Sequence, residues 1–276
     1  MSASRPPVPA PLARRSDTAG RRLLGDGHAY GEIFGLLDGV QPKGLCLDLP
    51  SGEGANVDGI AAAGFQPVAT DLFPVARAAG DDALAVPTVK ADWYARLPFA
   101  DACFDAVLCS EGIEHHAAQT DFLRELARVL RPGGTLLLTT PNVLSLGARF
   151  SSLLNGHHAH NRAPLTEVTQ VWRDGKGRMP YVGHAHMVSY FVLRFMLWRV
   201  GLRIESVATA RWGRNSVLLA PLLWLPVGIG TRRILRGLRD SHPDVHADIL
   251  AHVLSPSLLL GKKLVLLARK DGAPRF

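Results

Sequence analysis

Apolar residues along this chain form short runs that alternate with stretches of helical periodicity. The short runs predict buried strands at 45–47, 67–70, 86–91, 104–109, 135–140, 202–207 and 264–268. Apolar residues at helical spacing predict helices over 30–37, 57–63, 121–130 and 189–200. Strands that alternate with helices predict an α/β fold, in which helices cover both faces of a mostly parallel sheet.

Two regions do not follow this alternation. Residues 142–188 contain glycine, asparagine and five histidines but no clear strand. The segment from 211 to 261 separates the last two predicted strands and is too long for a hairpin connection. The pattern therefore predicts one domain over 26–276 with a helical insertion at about 211–260, preceded by a disordered basic arm over 1–25.

The insertion begins with an apolar run, VLLAPLLWLPVGIG at 217–230, which contains Pro221 and Pro226. The run is too short and too interrupted by proline to predict a membrane-spanning helix. Four arginines follow it, at positions 232, 233, 236 and 239. An apolar segment beside a basic one predicts peripheral membrane contact through 217–239. A helical cap on the domain and a homodimer contact are equal alternatives.

Composition and charge narrow the class of protein. Of the 276 residues, 47% are hydrophobic and 20% are charged, which is typical of a globular protein. The net charge of +7 permits an anionic partner, but its excess lies in two places. The arm over 1–24 has five arginines and one aspartate, and 211–239 has six arginines and no acidic residue. The remainder is mildly acidic, so a nucleic-acid partner is not expected.

Three cysteines, Cys46, Cys103 and Cys109, form no CxxC pair and no even disulfide framework. This predicts a reducing compartment and a cytoplasmic location. The prediction also allows peripheral attachment at the inner face of the membrane.

The most informative stretch for chemistry is LCLDLPSGEGANV at 45–57. An apolar strand runs into a turn with Gly52 and Gly54, and a helix follows. Glycine lets backbone approach a ligand closely, and a helix N-terminus offers free N–H groups to an anion. Pro50 and Val57 stand where a dinucleotide fingerprint requires glycine, which argues against NAD or FAD.

Acidic residues also follow the next two predicted strands. Asp71 ends the run VATD, where a carboxylate can accept hydrogen bonds from both hydroxyls of a ribose. Asp92 and Trp93 follow the third strand, where they suit an adenine amino group and the face of the base. Their joint occurrence at successive strand ends favours a nucleoside site over isolated solvated turns.

Four segments together resemble the class I S-adenosylmethionine-dependent methyltransferases: LCLDLPSGEG (45–54), VATD (68–71), LPFADACFDAVLCSEGIEHH (97–116) and FLRELARVLRPGGTLLLTTPN (122–142). The similarity covers about residues 30–207 and is to the small-molecule branch, which includes ubiquinone-biosynthesis-type O-methyltransferases. It implies a Rossmann-like seven-stranded, mostly parallel sheet with an antiparallel last strand.

The resemblance also implies a cofactor site for S-adenosylmethionine. Its residues would be Asp48, Pro50, Gly52, Gly54, Asp71, Leu72, Asp92, Trp93, Ser110 and Glu111. Pro50 departs from the family pattern, which is usually Gly-x-Gly-x-Gly: it stands at the position of the first glycine. Proline fits there if the backbone φ is near −65° and no N–H donor is needed.

The motif Glu111-Gly-Ile-Glu114-His115-His116 allows two interpretations. If it is helical, Glu111, Glu114 and His115 share one face and could ligate Mg²⁺, Mn²⁺ or Zn²⁺, as the resemblance also implies. The favoured alternative has no metal: Glu111 lines the cofactor pocket and His115 orients the acceptor.

Methyl transfer to a hydroxyl is helped by a general base, and histidine suits neutral pH. The candidate bases are His115, His116 and His186, with His184 beside the last of them. A third histidine group, His157, His158 and His160, fits a solvated loop better than a metal site.

The predicted function is S-adenosylmethionine-dependent methylation, with a hydroxyl on a small-molecule, glycan or lipid-linked acceptor as the substrate. One alternative is an RNA-modifying methyltransferase, although Ser110 to Ile113 replace the Asn/Asp-Pro-Pro-aromatic motif of nucleobase N-methylating enzymes. Another is a non-catalytic, membrane-associated protein of methyltransferase type.

Overall fold

The residues that the structure describes form a seven-stranded sheet covered by helices. The structure is a computed structural model and describes residues 27–72, 86–158, 166, 171–172 and 181–275. The predicted arm over 1–25 and His160 lie outside the described residues. The strands of the sheet are β1 (Leu45–Asp48), β2 (Gln66–Asp71), β3 (Thr88–Lys90), β4 (Phe104–Ser110), β5 (Leu130–Pro141), β8 (Leu202–Ala208) and β9 (Lys263–Lys270).

Strand order in this sheet is β3-β2-β1-β4-β5-β9-β8. Neighbours from β3 to β5 pair in parallel, whereas β9 is antiparallel to both β5 and β8. Strands β6 (Val171–Trp172) and β7 (Tyr181–Val182) form a separate two-stranded ribbon. The predicted fold class is confirmed. The chain changes direction across the sheet between β1 and β4, which is where open α/β sheets bind ligands.

Nine α-helices are described along with the sheet. They are α1 (Gly27–Asp38), α2 (Val57–Ala62), α3 (Gln119–Val129), α4 (Leu146–Asn155), α5 (Tyr190–Arg199), α6 (Arg214–Ile234), α7 (Arg236–Ser241), α8 (Pro243–Val253) and α9 (Pro256–Leu260). Ser189 caps α5, as the sequence predicts, by accepting a hydrogen bond from the Val192 N–H.

Alternate residues of the central strands belong to two apolar clusters, one on each face of the sheet. On one face, Cys46 and Leu108 pack with Ile33 of α1 and Ile60 of α2. On the other, the larger cluster joins the sheet to α3 and α5 and includes Leu123. The period of two along each strand places these residues on opposite faces, so the sheet is buried on both sides.

Strand β5 begins at Leu130, five residues before the predicted strand at 135–140. The register with β4 shifts between Phe104 and Ala106, so the extra residues form a bulge within the strand. Gly133 has a φ of +75° there, a left-handed conformation that glycine adopts without strain. Arg131 forms an ion pair with Asp105, which ties the bulge to the start of β4.

Residues 142–188, where the sequence shows no clear strand, contain the helix α4 and the two-residue strands β6 and β7. The Ser145 hydroxyl accepts a hydrogen bond from the Ala148 N–H at 3.2 Å and caps α4. Gly156, with a φ of +64°, ends it. Both signals are present in the sequence, but the helix lacks a strong apolar stripe.

The insertion between β8 and β9 is formed by the four helices α6 to α9. Its apolar run of 14 residues lies within one continuous helix of 21 residues, with Pro221 and Pro226 inside it. The expectation of a short, broken segment is therefore wrong. By length and composition α6 could cross a membrane. Of its most apolar 18 consecutive residues, 6% are buried in the structure.

The contact between α1 and α2 depends on the absence of a side chain at Gly59. A Cβ atom at this position would lie 2.2 Å from the Phe34 ring. We expect Gly59→Ala to lower the free energy of unfolding by about 1–3 kcal/mol, because the ring must move out of its packed position. Urea denaturation measures the change.

Gly35→Ala is the matched control, since a Cβ at Gly35 of α1 would meet nothing within 4 Å. There alanine should stabilise the protein by about 0.5–1 kcal/mol through helix propensity alone. Equal effects of the two substitutions would contradict the close packing of α1 on α2.

Candidate active site

The turn after β1 is hydrogen-bonded to the two neighbouring strands. The Leu49 N–H donates to the Leu108 carbonyl at 3.0 Å, and the Ser51 N–H donates to the Thr70 carbonyl at 3.0 Å. Gly52 and Gly54 have φ values of +52° and +77°, in the left-handed region. A Cβ atom on Gly52 would meet nothing within 4 Å. The turn therefore presents backbone to open space at the carboxyl edge of the sheet.

Pro50 lies against the turn that follows β4. A Cβ atom at Gly112 would lie 2.5 Å from Pro50 Cδ and 3.2 Å from Cys109 Sγ. The departure from the family's glycine pattern is thus accommodated by a glycine in the adjacent turn. Whether Pro50 contacts a cofactor stays a prediction.

Asp48 is a fully buried carboxyl group at the end of β1. Its Oδ1 accepts a hydrogen bond from Asn56 Nδ2 at 3.0 Å, whereas its buried Oδ2 has no partner. Burial raises the pKa of Asp48 to about 7; the Asn56 hydrogen bond lowers this pKa and the charge of Asp71 raises it. An unpartnered buried oxygen beside the turn is a position where a cationic or hydrogen-bonding ligand would be stabilised.

Asp71 connects the end of β2 to the turn after β1. Its Oδ2 accepts a hydrogen bond from the Gly52 N–H at 2.9 Å. Leu72 follows it at the same edge and is half-buried. Asp71 and the glycine turn are therefore in direct contact, and the binding of a ribose by Asp71 stays a prediction.

The next strand end carries Asp92 and Trp93. Asp92 is exposed, and its Oδ1 accepts a hydrogen bond from the Tyr94 N–H at 2.9 Å. The half-buried Trp93 ring packs edge-on against Phe122, with ring centroids 5.7 Å apart. Trp93 thus contributes to the core beside α3, and its predicted contact with a base stays a prediction.

Ser110 and Glu111 end β4, and Thr139 of β5 organises both. The hydroxyls of Ser110 and Thr139 are 3.3 Å apart, and Thr139 Oγ1 donates to Glu111 Oε1 at 3.0 Å. Glu111 Oε2 lies 3.4 Å from Lys263 Nζ of β9. The sequence prediction did not include Thr139 or Lys263, because no local pattern links β5 and β9 to this motif.

The motif after β4 does not form the helix through 111–115 that the first interpretation requires. Only Ile113–His115 forms a short 3₁₀ helix, and Glu111 has a φ of +53°. Glu111 therefore leaves the predicted set of possible metal ligands, and His184 takes its place. Glu114, His115 and His184 offer ligand atoms that all lie within 4.8 Å of one another.

Glu114 is the buried member of this cluster. Its Oε2 accepts a hydrogen bond from Thr140 Oγ1 at 3.0 Å, and its Oε1 lies 3.8 Å from His184 Nε2. Burial raises the pKa of Glu114 to about 8, and the charge of Glu111 adds to the increase. Burial also lowers the pKa of His184, which favours a neutral imidazole. The cluster can thus hold or transfer a proton, and its donor set also suits a divalent cation.

The other two candidate bases occupy different surroundings. The His116 ring is buried between Tyr94 and Phe122, with centroid distances of 4.0 and 4.9 Å, and its Nε2 lies 3.1 Å from the Trp93 carbonyl oxygen. This geometry fits packing better than proton transfer. His186 is exposed, and it joins Glu114 through a backbone hydrogen bond of 2.9 Å.

Two of the histidines in the loop group are described, and both lie just beyond the end of α4. Ser152 Oγ is 2.7 Å from His158 Nδ1, and Ser151 Oγ donates to the His157 carbonyl at 2.8 Å. These contacts close the end of the helix.

Comparison with known sequences identifies the type of domain. Residues 47–138 match the family Methyltransf_11, described as a methyltransferase domain. Over residues 47–138, a third of its length, the chain has a methyltransferase domain. It is 41% identical over 99 residues to a demethylmenaquinone methyltransferase of Mycolicibacterium vanbaalenii, covering 36% of this chain and 42% of that protein. A demethylmenaquinone methyltransferase of Mycolicibacterium paratuberculosis is 38% identical over 128 residues, which cover 46% of this chain and 55% of the relative. The matches thus span about half the length of these relatives.

Solved structures support the same fold for the methyltransferase domain. An S-adenosylmethionine-dependent methyltransferase from Archaeoglobus fulgidus superposes with a TM-score of 0.50 at 15% identity, over 87% of this chain and 91% of that one. The [4+2]-cyclase SpnF also superposes with a TM-score of 0.50, at 18% identity, over 88% of this chain and 80% of the cyclase. Because a cyclase shares the fold, function has to be argued from the site.

The site of the methyltransferase domain fits S-adenosylmethionine, the cofactor of this family. The glycine turn is open beside Gly52, Asp71 stands at its edge, and the buried Asp48 oxygen has no partner. These three features suit backbone contact, ribose binding and a cationic group respectively.

The raised pKa of Asp48 predicts a pH-dependent stability. Between about pH 4 and pH 7 the folded protein binds this proton and the unfolded chain releases it. The contribution of Asp48 to stability is therefore greatest below about pH 4 and is lost as pH rises through the folded pKa of about 7. We expect Asp48→Asn to remove this dependence, a difference on the order of 4 kcal/mol between the two proteins across that range.

Thermal or urea unfolding of both proteins without cofactor, at about pH 5 and about pH 8, covers about two pH units of this interval and should show about 3 kcal/mol of the difference. A constant gap between wild type and Asp48→Asn at the two pH values would show that Asp48 titrates normally.

Proposed function

We propose that this protein transfers a methyl group from S-adenosylmethionine to a hydroxyl on a small-molecule or lipid-linked acceptor. The observation that carries the proposal is the juxtaposition at one sheet edge of the glycine turn, Asp71 and the Glu114–His184 pair. The first two suit the cofactor, and the pair lies at the end of the adjacent strand, where an acceptor would meet it.

Three groups would hold the cofactor: the backbone at Gly52 and Gly54, the Asp71 carboxylate, and Asp48. When bound, S-adenosylmethionine supplies a methyl group on a sulfonium, which is already activated for transfer. The protein then has to orient the acceptor oxygen in line with that methyl and exclude water.

His184 is the base that the geometry favours. Its imidazole is half-buried, its pKa is lowered by burial, and its Nε2 faces the buried Glu114 carboxyl at 3.8 Å. As the acceptor oxygen forms its bond to the methyl carbon, the carbon–sulfur electron pair goes to sulfur and the hydroxyl proton goes to His184. Glu114 Oε1 lies 3.8 Å from this ring and, above its own pKa of about 8, would stabilise the imidazolium that forms.

The relatives support a lipid-linked acceptor. The proteins from Mycolicibacterium vanbaalenii and Mycolicibacterium paratuberculosis are named for a demethylated menaquinone. The chain matches only part of each, so the acceptor class is a proposal for this protein. The proposed location is the cytoplasm, at the inner face of the membrane.

Cofactor binding is tested first, by isothermal titration of the full-length protein with S-adenosylmethionine. We expect Asp71→Asn to weaken binding by about tenfold or more, because hydrogen bonds to a charged group are lost. Asp58→Asn removes the same charge from the first turn of α2 and should bind like wild type. Absence of a binding signal with the wild type would refute the proposed function.

Methyl transfer is tested with tritium-labelled S-adenosylmethionine and two hydroxyl acceptors, naphthohydroquinone and catechol. We expect His184→Asn to lower kcat about a hundredfold or more, with cofactor affinity unchanged, because the proton acceptor is lost. His186→Asn is the matched control and should retain activity, since that ring is exposed. Activity that requires added Mg²⁺ or Mn²⁺ and is abolished by EDTA would assign the cluster to a metal instead.

A further inference from the structure

Between Val217 and Gly230, helix α6 is apolar around its whole circumference and yet lies on the surface. One face packs on the domain: Leu219, Leu223 and Trp224 join a cluster with Leu146 of α4 and Leu259 of α9. The opposite face carries large apolar side chains that are mostly exposed, with exposed fractions of 78% for Leu218, 68% for Leu222, 70% for Leu225 and 58% for Ile229. An apolar stripe of this size on a protein surface marks a binding surface.

The exposed residues form one continuous stripe. Positions 218, 222, 225 and 229 recur at intervals of three and four residues, so they share one helix face. Pro221 and Pro226 are exposed beside them. Proline and glycine are more frequent in transmembrane helices than in the helices of soluble proteins. We call Leu218, Leu222, Leu225 and Ile229 the apolar stripe.

Arginine side chains continue the stripe beyond Ile229. Arg232, Arg233, Arg236 and Arg239 line a cleft of about 770 Å³ with Ile229 and Leu250. Among the described residues, Arg239 pairs with Asp240, and no carboxylate pairs with Arg233 or Arg236. A positive cleft at the end of an exposed apolar helix is complementary to the anionic headgroups and acyl chains of a lipid surface.

We propose that α6 lies in the surface of an anionic phospholipid bilayer, with the apolar stripe among the acyl chains and the arginine cleft against lipid phosphates. This docking is independent of methyl transfer, since none of these residues belongs to the candidate active site.

A spanning orientation is disfavoured by the contacts of the inner face. Ser216 is buried, and its hydroxyl accepts a hydrogen bond from the Gly147 N–H at 3.0 Å. To cross a bilayer, α6 would have to leave this contact and the cluster around Leu146. A second copy of the chain is disfavoured by charge, because 211–239 has six arginines and no acidic residue, and a twofold contact would bring like charges together.

The test is sedimentation of the full-length protein with vesicles of phosphatidylcholine alone or with about a third phosphatidylglycerol. We expect at least about fivefold more bound protein with the anionic vesicles, and release by high salt because surface charges are screened. Equal binding to both vesicle types, or none, would overturn the proposal.

Two variants divide the surface into its parts. Leu222→Gln with Leu225→Gln should reduce vesicle binding at least about fivefold by removing apolar area. Arg233→Gln with Arg236→Gln should do the same for anionic vesicles. All four side chains are exposed, so the melting temperatures should stay near the wild-type value.

Matched controls test whether the effects are local. Phe195→Gln removes an exposed apolar side chain from α5, and Arg96→Gln with Arg124→Gln removes two exposed charges elsewhere. Both should bind vesicles like wild type. A loss in the controls equal to that in the α6 variants would overturn the proposal and indicate an effect of overall charge or hydrophobicity.

Two further outcomes would also overturn it. Protein that remains in the membrane pellet after alkaline carbonate and is released only by detergent would be inserted as a spanning segment. A dimer in analytical ultracentrifugation that dissociates in the Leu222→Gln, Leu225→Gln variant, without vesicle binding by the wild type, would assign the stripe to a second copy.

Discussion

The parallel pairing of β2, β1 and β4 is the constraint on which the rest of the structure depends. Parallel strands bring their carboxyl ends to one edge of the sheet, and the turn after β1 is fixed there by hydrogen bonds to both neighbours. Asp71 then binds the Gly52 N–H, so the acidic residue and the glycine turn form one unit. Residues distant in sequence lie close together at this edge because the parallel topology brings the ends of their strands there.

Two carboxyl groups at this edge are buried at a cost in free energy. Asp48 and Glu114 are fully buried, and desolvation raises the pKa values of both to about 7 and about 8. Cys109, between them in the core, has a pKa raised well above its ordinary value, so its thiol stays protonated. Buried acids with unpartnered oxygens are costly to a fold and common at functional sites, which favours a ligand-binding role for this edge.

The insertion is joined to the candidate site through β5. The Asn142 side-chain amide donates to the Leu258 carbonyl at 2.7 Å and to the Gly261 carbonyl at 2.9 Å. Glu111 pairs with Lys263 at the beginning of β9, directly after the insertion. These contacts join the end of the insertion that contains α6 to the strands beside the candidate site.

The sequence by itself determined the order of the seven sheet strands along the chain, the glycine turn and the acidic residue after β2. These features have local signatures: apolar runs of one period, turn residues, and short motifs at strand ends. Only the tertiary structure decided that His184 rather than Glu111 joins Glu114 and His115, because a φ of +53° directs Glu111 towards Thr139 and Lys263. It likewise decided that Pro221 and Pro226 lie within one helix, since packing of its inner face offsets the local cost of proline. Contacts between segments far apart in sequence have no local signature, and these contacts fix the candidate base and the exposed face of α6.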